Sequence, residues 1–507
     1  MALRIHRRQF LRTTVSGGTG FLILHCARSA WTAQANEKLD LALVGVGGRG
    51  SWFTSAIPGM GQNLVALCDV DDTKNPDAYQ KLPRARKFRD FRRMLDQMGP
   101  SLDAVIVATP DHTHAVVSAA AIRAGKAVFC EKPLTRTVHE ARALRDLARQ
   151  FKVATSMGNQ GTAAGPFRRA LELIRAGAIG EIKEVHIWNS EGGADRKEPP
   201  GDGGPAPEFL DWDLWLGPAA QRPYHRQWMQ RHLWREFGTC QLGNWGSHSA
   251  NLAFMALRVQ DLWLKPFPEP PIQAGRDAFH CVPDFSGKDG DAVERVPTRF
   301  MAGEQGRKEQ EDSPGPKCPA IRIQAQHSGV NKLSFPKWEV VKWTIPPRAE
   351  FPAITFTWHN GRAPGSRDLL EGLIGEELDW GDKKAKKWVD HGGAIIVGTK
   401  GHVRATEHNA SFRLLPRDPF QEVQTDRPET VEGSRGHEQD WFRACRGGPP
   451  AWANFDYADA LNEFLMLGNV ATQFETALEF DPDAMKIVNN AAADALLRSE
   501  YRTGWTL

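Results

Sequence analysis

The chain has 507 residues, with 64 Lys and Arg against 61 Asp and Glu, a formal net charge of +3. That length exceeds the ~250 to 300 residues at which a single core stops growing, so two domains are expected. The near balance of charge, with no long basic run after the first few dozen residues, argues against nucleic acid or an anionic membrane as a partner. Seven cysteines are too few for a disulfide-framework fold in a chain of this length.

Arg7-Arg8 in the run HRRQFLR precedes a glycine-broken apolar stretch from Val15 to Leu24 and the small-residue site Ala33-Gln34-Ala35. This is the three-part pattern of a twin-arginine export signal over residues 1–35, with the mature chain starting near Asn36 in the periplasm or otherwise outside the cytoplasm. The apolar stretch falls short of the ~20 residues that span a bilayer, so no membrane attachment is expected after cleavage. His25 occupies the place of the small lipobox residue, which argues against lipidation of Cys26.

From Lys38 to about Asn159, short apolar runs alternate with helical periodicity, the pattern of a doubly wound parallel sheet. Leu41 to Val44, Leu64 to Cys68, Ala104 to Ala108, Ala127 to Phe129 and Val153 to Ser156 read as its strands. Phe88, Phe91, Leu95 and Met98 mark one helical face, Val116 to Ala121 a second, and Val138 to Ala148 a third. The expected domain is 38–160. A second α+β domain over 161–489, with an open-faced and mostly antiparallel sheet, is expected from a helix ending at Gly177 and from strand candidates Glu181 to Trp188, Ile321 to Gln326, Trp338 to Ile345, Ile354 to Trp358, Ala394 to Val397 and Val403 to Thr406. Residues 266–319, rich in Pro, Gly and charge, read as a surface insert whose Cys281 and Cys318 are a candidate pair. Tyr457 to Asn489 reads as helical, and 490–507 as a tail packed back on the body.

Gly45, Gly47 and Gly50, with Gly48 and Arg49 between them, follow a strand and open a helix, which suits close approach to a pyrophosphate at a helix N-terminus. Asp69 ends the next strand, where a carboxylate bonds a ribose 2′-hydroxyl and repels a 2′-phosphate; NAD is therefore expected over NADP. Thr109-Pro110-Asp111-His112-Thr113-His114 and Glu131-Lys132-Pro133 end the following two strands, at the carboxyl edge where ligands bind in such sheets. Lys132 suits a sugar hydroxyl or a developing alkoxide. His112 and His114 lack further ligands nearby in sequence, so no metal is expected and they read as residues lining the cofactor cleft. Asn159 and Gln160 end a later strand, within reach of a carboxamide or sugar.

The glycine turn, ATPDHTH, CEKPL and MGNQG, in this order, resemble the Gfo/Idh/MocA family of glucose-fructose oxidoreductases and inositol dehydrogenases. The later segments LDWDLWLGP and GGAIIVGTKG and the ending EYRTGWTL resemble its exported branch of planctomycete type. The resemblance implies a Rossmann domain, a sheet domain whose open face pairs with another copy of the chain, NAD or NADP in the cleft, a sugar or polyol ligand, and a cis peptide before Pro133. It also implies a catalytic histidine four residues after an aspartate. Here the segment is Gly243-Asn244-Trp245-Gly246-Ser247-His248, so His248 is kept and Asn244 replaces the acid. An amide orients a substrate but supplies no charge to the base. Trp188, Trp212, Trp234 and Arg235 fall in segments that the resemblance brings toward substrate.

The reading favoured by these residues is an exported oxidoreductase acting on a sugar, glycoside or polyol. In it, His248 removes a hydroxyl proton, Lys132 stabilises the oxyanion, and a retained, internally recycled NAD takes the hydride. Two alternatives stand beside it: an NAD-dependent glycoside hydrolase working by transient oxidation and elimination, and a sugar-binding protein with a structural nucleotide.

Overall fold

The structure is a computed structural model and describes residues 38–263, 320–348, 351–380, 390–420 and 429–507. The expected export signal, the insert at 266–319, and Cys281 and Cys318 lie outside the described residues.

Six strands form the first sheet: β1 (Asp40–Val44), β2 (Asn63–Cys68), β3 (Arg86–Phe88), β4 (Ala104–Val107), β5 (Ala127–Cys130) and β6 (Thr155–Met157). Their order is β3-β2-β1-β4-β5-β6, and every pair is parallel. The expected strands are all present, because central parallel strands are covered on both faces and must be apolar throughout. The edge strand β3 went unrecognised, being short and charged. Phe88 belongs to it rather than to the following helix, which starts at Phe91 where the Asp90 carboxylate caps Arg92 N–H. Strand order reverses between β1 and β4, and that reversal opens a crevice at the strands' carboxyl ends. Three helices matter to it: α1 (Gly50–Gly59) and α2 (Asp111–Arg123) begin there, and α3 (Val138–Phe151) follows β5.

The second sheet has nine strands: β7 (Ile182–Asn189), β8 (Ile321–His327), β9 (Glu339–Ile345), β10 (Ile354–Asn360), β11 (Gly392–Gly398), β12 (His402–Thr406), β13 (Phe412–Leu415), β14 (Leu478–Asp481) and β15 (Lys486–Ile487). Its order is β13-β12-β11-β7-β10-β9-β8-β14-β15, antiparallel except between β7 and β10. Alternation sorts the faces. Val185, Ile323, Trp343, Phe356 and Ile396 point inward and join one apolar core with Val105, Val107 and Cys130 of the first sheet. The outer face is less open than expected: helix Ser366–Ile374 covers Trp188, Ile395 and Val397, while Arg322, Gln324, Lys342 and Thr344 leave the β8–β9 half polar and exposed.

The last long helix, which one short helix (Ala491–Ala495) follows, spans Phe455–Ala471 and stops well short of Asn489. Beyond it the Asp481 carboxylate accepts from Asp483 N–H and Ala484 N–H around Pro482, a side-chain turn that folds β14 and β15 into a hairpin. Buried ion pairs tie this helix to α3: Arg142 holds Glu463 through two bonds of 2.7 and 2.8 Å, and Arg145 holds Asp459 at 2.7 Å. The tail then returns to the crevice, with Trp505 against Phe91.

Candidate active site

The glycine turn sits between β1 and α1 at the reversal point. Gly45 has φ +88°, and a Cβ there would lie 2.5 Å from the Ala108 carbonyl oxygen, so no side chain fits between the first and fourth strands. Asp69 Oδ2 accepts from Val46 N–H at 2.7 Å and Gly47 N–H at 3.3 Å, while Oδ1 accepts from Asp71 N–H at 3.1 Å. Burial pushes this carboxyl up, and those three N–H groups pull the other way. Gly45, Gly47, Gly48, Arg49, Asp69, Thr109, Pro110, His114, Glu131, Lys132 and Gln160 all line one cleft of about 760 Å³; Gly50 lies just inside, opening α1. An extended dinucleotide fits this cradle: a backbone too crowded for a Cβ, a helix N-terminus, and an acid at the end of β2.

The resemblance implied a cis peptide before Pro133, and Lys132–Pro133 is cis. Lys132 Nζ donates to Asn244 Oδ1 at 2.5 Å and to the Asn244 carbonyl at 2.9 Å. Asn244 lies in Leu242–Gly246, a turn of π-helix of the kind frequent at functional sites, and its carbonyl also accepts from Ser247 Oγ at 3.3 Å. Burial pushes the Lys132 ammonium down, opposed by Glu131 and Asp111 and assisted by Arg231 and Arg49. His248 follows on the same helix and is 2% exposed. Burial first, then Lys132, His408, His437 and Arg49, drive its imidazole well below the usual histidine range, so it is neutral and free to accept a proton. Its Nδ1 is buried without a hydrogen-bond partner, leaving Nε2 as the nitrogen open to the cleft. Lys132, Asn244 and His248, drawn from segments more than a hundred residues apart, therefore line one cleft together.

Several expected residues lie elsewhere. His112 turns away: its Nε2 sits 2.9 Å from the Trp215 carbonyl and it borders a separate cavity of about 290 Å³, because one residue along a helix rotates a side chain by roughly a quarter turn from Asp111. Asn159 is fully buried and does not line the cleft, although its neighbour Gln160 does. Trp188 lies under helix Ser366–Ile374 and donates to the Asp390 carbonyl. Trp234 packs on Trp228 and donates to the Gln227 carbonyl. Trp212 stacks behind Trp215 at 4.8 Å, and Trp215 is the one that reaches the cleft. Arg235 is spent on Asn331 O, Asn469 O and Thr472 Oγ1, and it borders the smaller cavity. Apolar burial and backbone carbonyls claimed these side chains.

The cleft also holds residues that the sequence did not single out. Asp111 accepts from Thr239 Oγ1 at 2.8 Å and lies 3.5 Å from Arg231; burial opposes its charge, but Arg231, His114, Thr239 and Lys132 together keep its carboxyl below the usual range. Glu191 accepts from Gln241 Nε2 at 2.7 Å, and His232, His408 and Trp505 complete the wall. Asp111 stood inside the quoted TPDHTH run. His408, in a polar turn between two strands, carried no signal beyond that of an ordinary hairpin.

Residues 39–159 match the family profile of Gfo/Idh/MocA, described as an oxidoreductase family with an NAD-binding Rossmann fold. Over that segment the chain is similar to the family. The levoglucosan dehydrogenase of Pseudarthrobacter phenanthrenivorans is 26% identical over 292 residues, 53% of this chain and 66% of that enzyme. The 1,5-anhydro-D-fructose reductase of Ensifer adhaerens is 40% identical over 139 residues, 27% of this chain and 41% of that enzyme. The match thus spans just under two thirds of the first relative and less than half of the second. Two solved structures share the whole fold: the WlbA dehydrogenase from Bordetella pertussis in complex with NADH and UDP-GlcNAcA has a TM-score of 0.50 at 15% identity, covering 87% of this chain and 98% of its own. The aldose-aldose oxidoreductase from Caulobacter crescentus also has a TM-score of 0.50, at 14% identity, covering 88% and 100%.

Proposed function

We propose that the protein is an exported NAD-dependent oxidoreductase acting on a CH–OH group of a sugar, glycoside or polyol, with a tightly held cofactor recycled within the site. The observation that carries this reading is the convergence of Lys132 Nζ, Asn244 and His248 in the cleft of the glycine turn. When bound, the nicotinamide supplies the hydride acceptor. His248 takes the hydroxyl proton at Nε2, and Lys132, oriented by Asn244, stabilises the oxygen that loses it. Asp69 holds the glycine turn and selects NAD by repelling a 2′-phosphate. Glu191, Gln241, Arg231 and His232 bring donors and acceptors to the far wall, as a polyhydroxylated ligand requires. The sugar and anhydrosugar substrates named for the relatives agree with that chemistry. The Arg7-Arg8 signal supports export, and self-association uses what remains exposed of the second sheet.

The test begins with the purified mature protein. Denaturation should release NAD or NADH, identified by mass spectrometry. Free sugars and glycosides should then reduce the bound nucleotide, seen as NADH absorbance, with a keto-sugar restoring the oxidised form and no cofactor added. Absence of nucleotide, or mainly NADP, refutes the cofactor assignment. Repeated aglycone release with solvent deuterium taken up beside the oxidised carbon refutes net oxidoreduction in favour of hydrolysis.

A further inference from the structure

Asn244 leaves His248 without a carboxylate on its own helix, yet Lys132 and Arg49 crowd it with positive charge. A proton taken by this buried ring needs a way out. A carboxylate does reach the same corner, from the turn Glu407-His408-Asn409 between β12 and β13. The His408 ring centroid lies 4.6 Å from that of His248. Glu407 Oε1 is 3.4 Å from His408 Nδ1, and Glu407 Oε2 is 3.0 Å from His391 Nε2. Trp245 closes the group, its ring 5.3 Å from His408 and 5.9 Å from His391. The His408 side chain is 33% exposed, so unlike His248 it meets solvent.

The turn is fastened from three sides. Ser249 Oγ donates to the Glu407 carbonyl at 3.1 Å, Leu252 N–H donates to Asn409 Oδ1 at 2.9 Å, and a Cβ on Gly161 would lie 2.3 Å from the His408 carbonyl oxygen. Two of these anchors come from the helix that carries His248, so the two imidazoles are positioned by one rigid unit.

We propose that His408, backed by Glu407, is a proton relay: it receives from His248 the proton drawn from the substrate hydroxyl and passes it to solvent. The inference rests on the oxidoreductase reading above. The substrate O–H bond breaks as Nε2–H forms on His248, and Nδ1–H of His248 breaks as an N–H forms on His408. The hydride leaves the same carbon for the nicotinamide cation. The positive charge ends on His408 beside the Glu407 carboxylate, so position 407 supplies in space what position 244 lacks in sequence. His248 Nδ1 is sealed and unpartnered at rest, so handover across 4.6 Å between centroids takes a rotation of the two rings.

The experiment uses the mature protein with its own nucleotide. His408→Ala should slow single-turnover NADH formation about 10- to 100-fold, with nucleotide content and melting temperature retained. Added imidazole should restore much of that loss, since the free base can occupy the vacated place. Glu407→Gln should slow the step without rescue by imidazole. With Asn244→Asp present, His408→Ala should cost about tenfold less, because a carboxylate beside His248 takes over the charge. Independently of any substrate, an NMR titration of the imidazole nitrogens should show His248 titrating at higher pH after His408→Ala, because the two neighbouring rings no longer compete for one proton. A rate within about twofold of the parent, or a loss insensitive to imidazole and equal in both backgrounds, overturns the relay. If no sugar reduces the nucleotide, the oxidoreductase reading falls, and the NMR result alone decides: a His248 titration indifferent to His408→Ala overturns the relay as well.

Discussion

Asn244→Asp places a carboxylate oxygen where the amide Oδ1 now sits, 2.5 Å from Lys132 Nζ. Two unit charges ~4 Å apart interact by ~4 kcal/mol at an effective dielectric of about 20, equivalent to roughly three pKa units on the lysine. Asn244 is only half-buried, and the new carboxylate must itself be partly desolvated. The net change should therefore be smaller, about one to two units. The sign is upward, because a carboxylate favours the ammonium and counters the burial that pushes Lys132 down. The alkaline limb of the pH profile for reduction of bound NAD should accordingly move up by about one to two pH units, as Lys132 keeps its charge further into base. Asn244→Ala, which removes Oδ1 and leaves the Asn244 carbonyl, should move the same limb down. Stopped-flow NADH absorbance from pH 6 to 11 reads both. A limb that stays put in both variants would show that Lys132 is not the group whose charge supports the step.

Three further outcomes concern stability. Burial holds His112 and His359 at about 3 and His437 at about 4. Each is neutral in the fold but takes a proton in the unfolded chain below about 6.5, so stability should fall as pH drops, by about 1.4 kcal/mol per unit for each residue. His114 is the reverse case: burial lowers it, but Cys130, Asp111 and the Pro133 carbonyl outweigh burial and raise it to about 9, in keeping with both ring nitrogens facing carbonyl oxygens at 2.8 and 2.9 Å. Its contribution is complete below about 6.5 and lost as pH rises through about 9, so His114→Gln should lower the melting temperature by a constant amount on the acid side and flatten the alkaline side of the profile. Gly45→Ala must strain a φ of +88° and push on the Ala108 carbonyl, so it should cost about 1 to 3 kcal/mol in denaturant titration and empty the protein of nucleotide; full retention of both would mean that the turn relaxes freely.

The Rossmann half was legible because its signals are local. A strand buried on both faces has to be a continuous apolar run, and a turn that admits a backbone but no Cβ has to be glycine; Leu41 to Val44 and Gly45 show both. β3 and the hairpin after Ala471 were not legible, since a three-residue charged edge strand has no period and an Asp-Pro turn interrupts an otherwise apolar stretch without changing its composition. Lys132 and His248 could be picked out from the motifs around them. Other residues of the cleft wall could not, because Glu191 and His408 carry no motif and reach the cleft only through folding.

The order of apolar runs and glycines in this sequence determined by itself a parallel sheet with a nucleotide cradle at its reversal point, because those constraints act between residues a few positions apart. The tertiary structure alone decided which side chains face the cleft. Asp111 and His112 are neighbours in the chain, yet helix phase sends them to different cavities. Trp212 and Trp215 share a short helix, yet stacking hides one behind the other. Glu407 and His248 are separated by more than a hundred and fifty residues, and only the packing of the β12–β13 turn against the His248 helix brings that carboxylate to the corner where Asn244 left none.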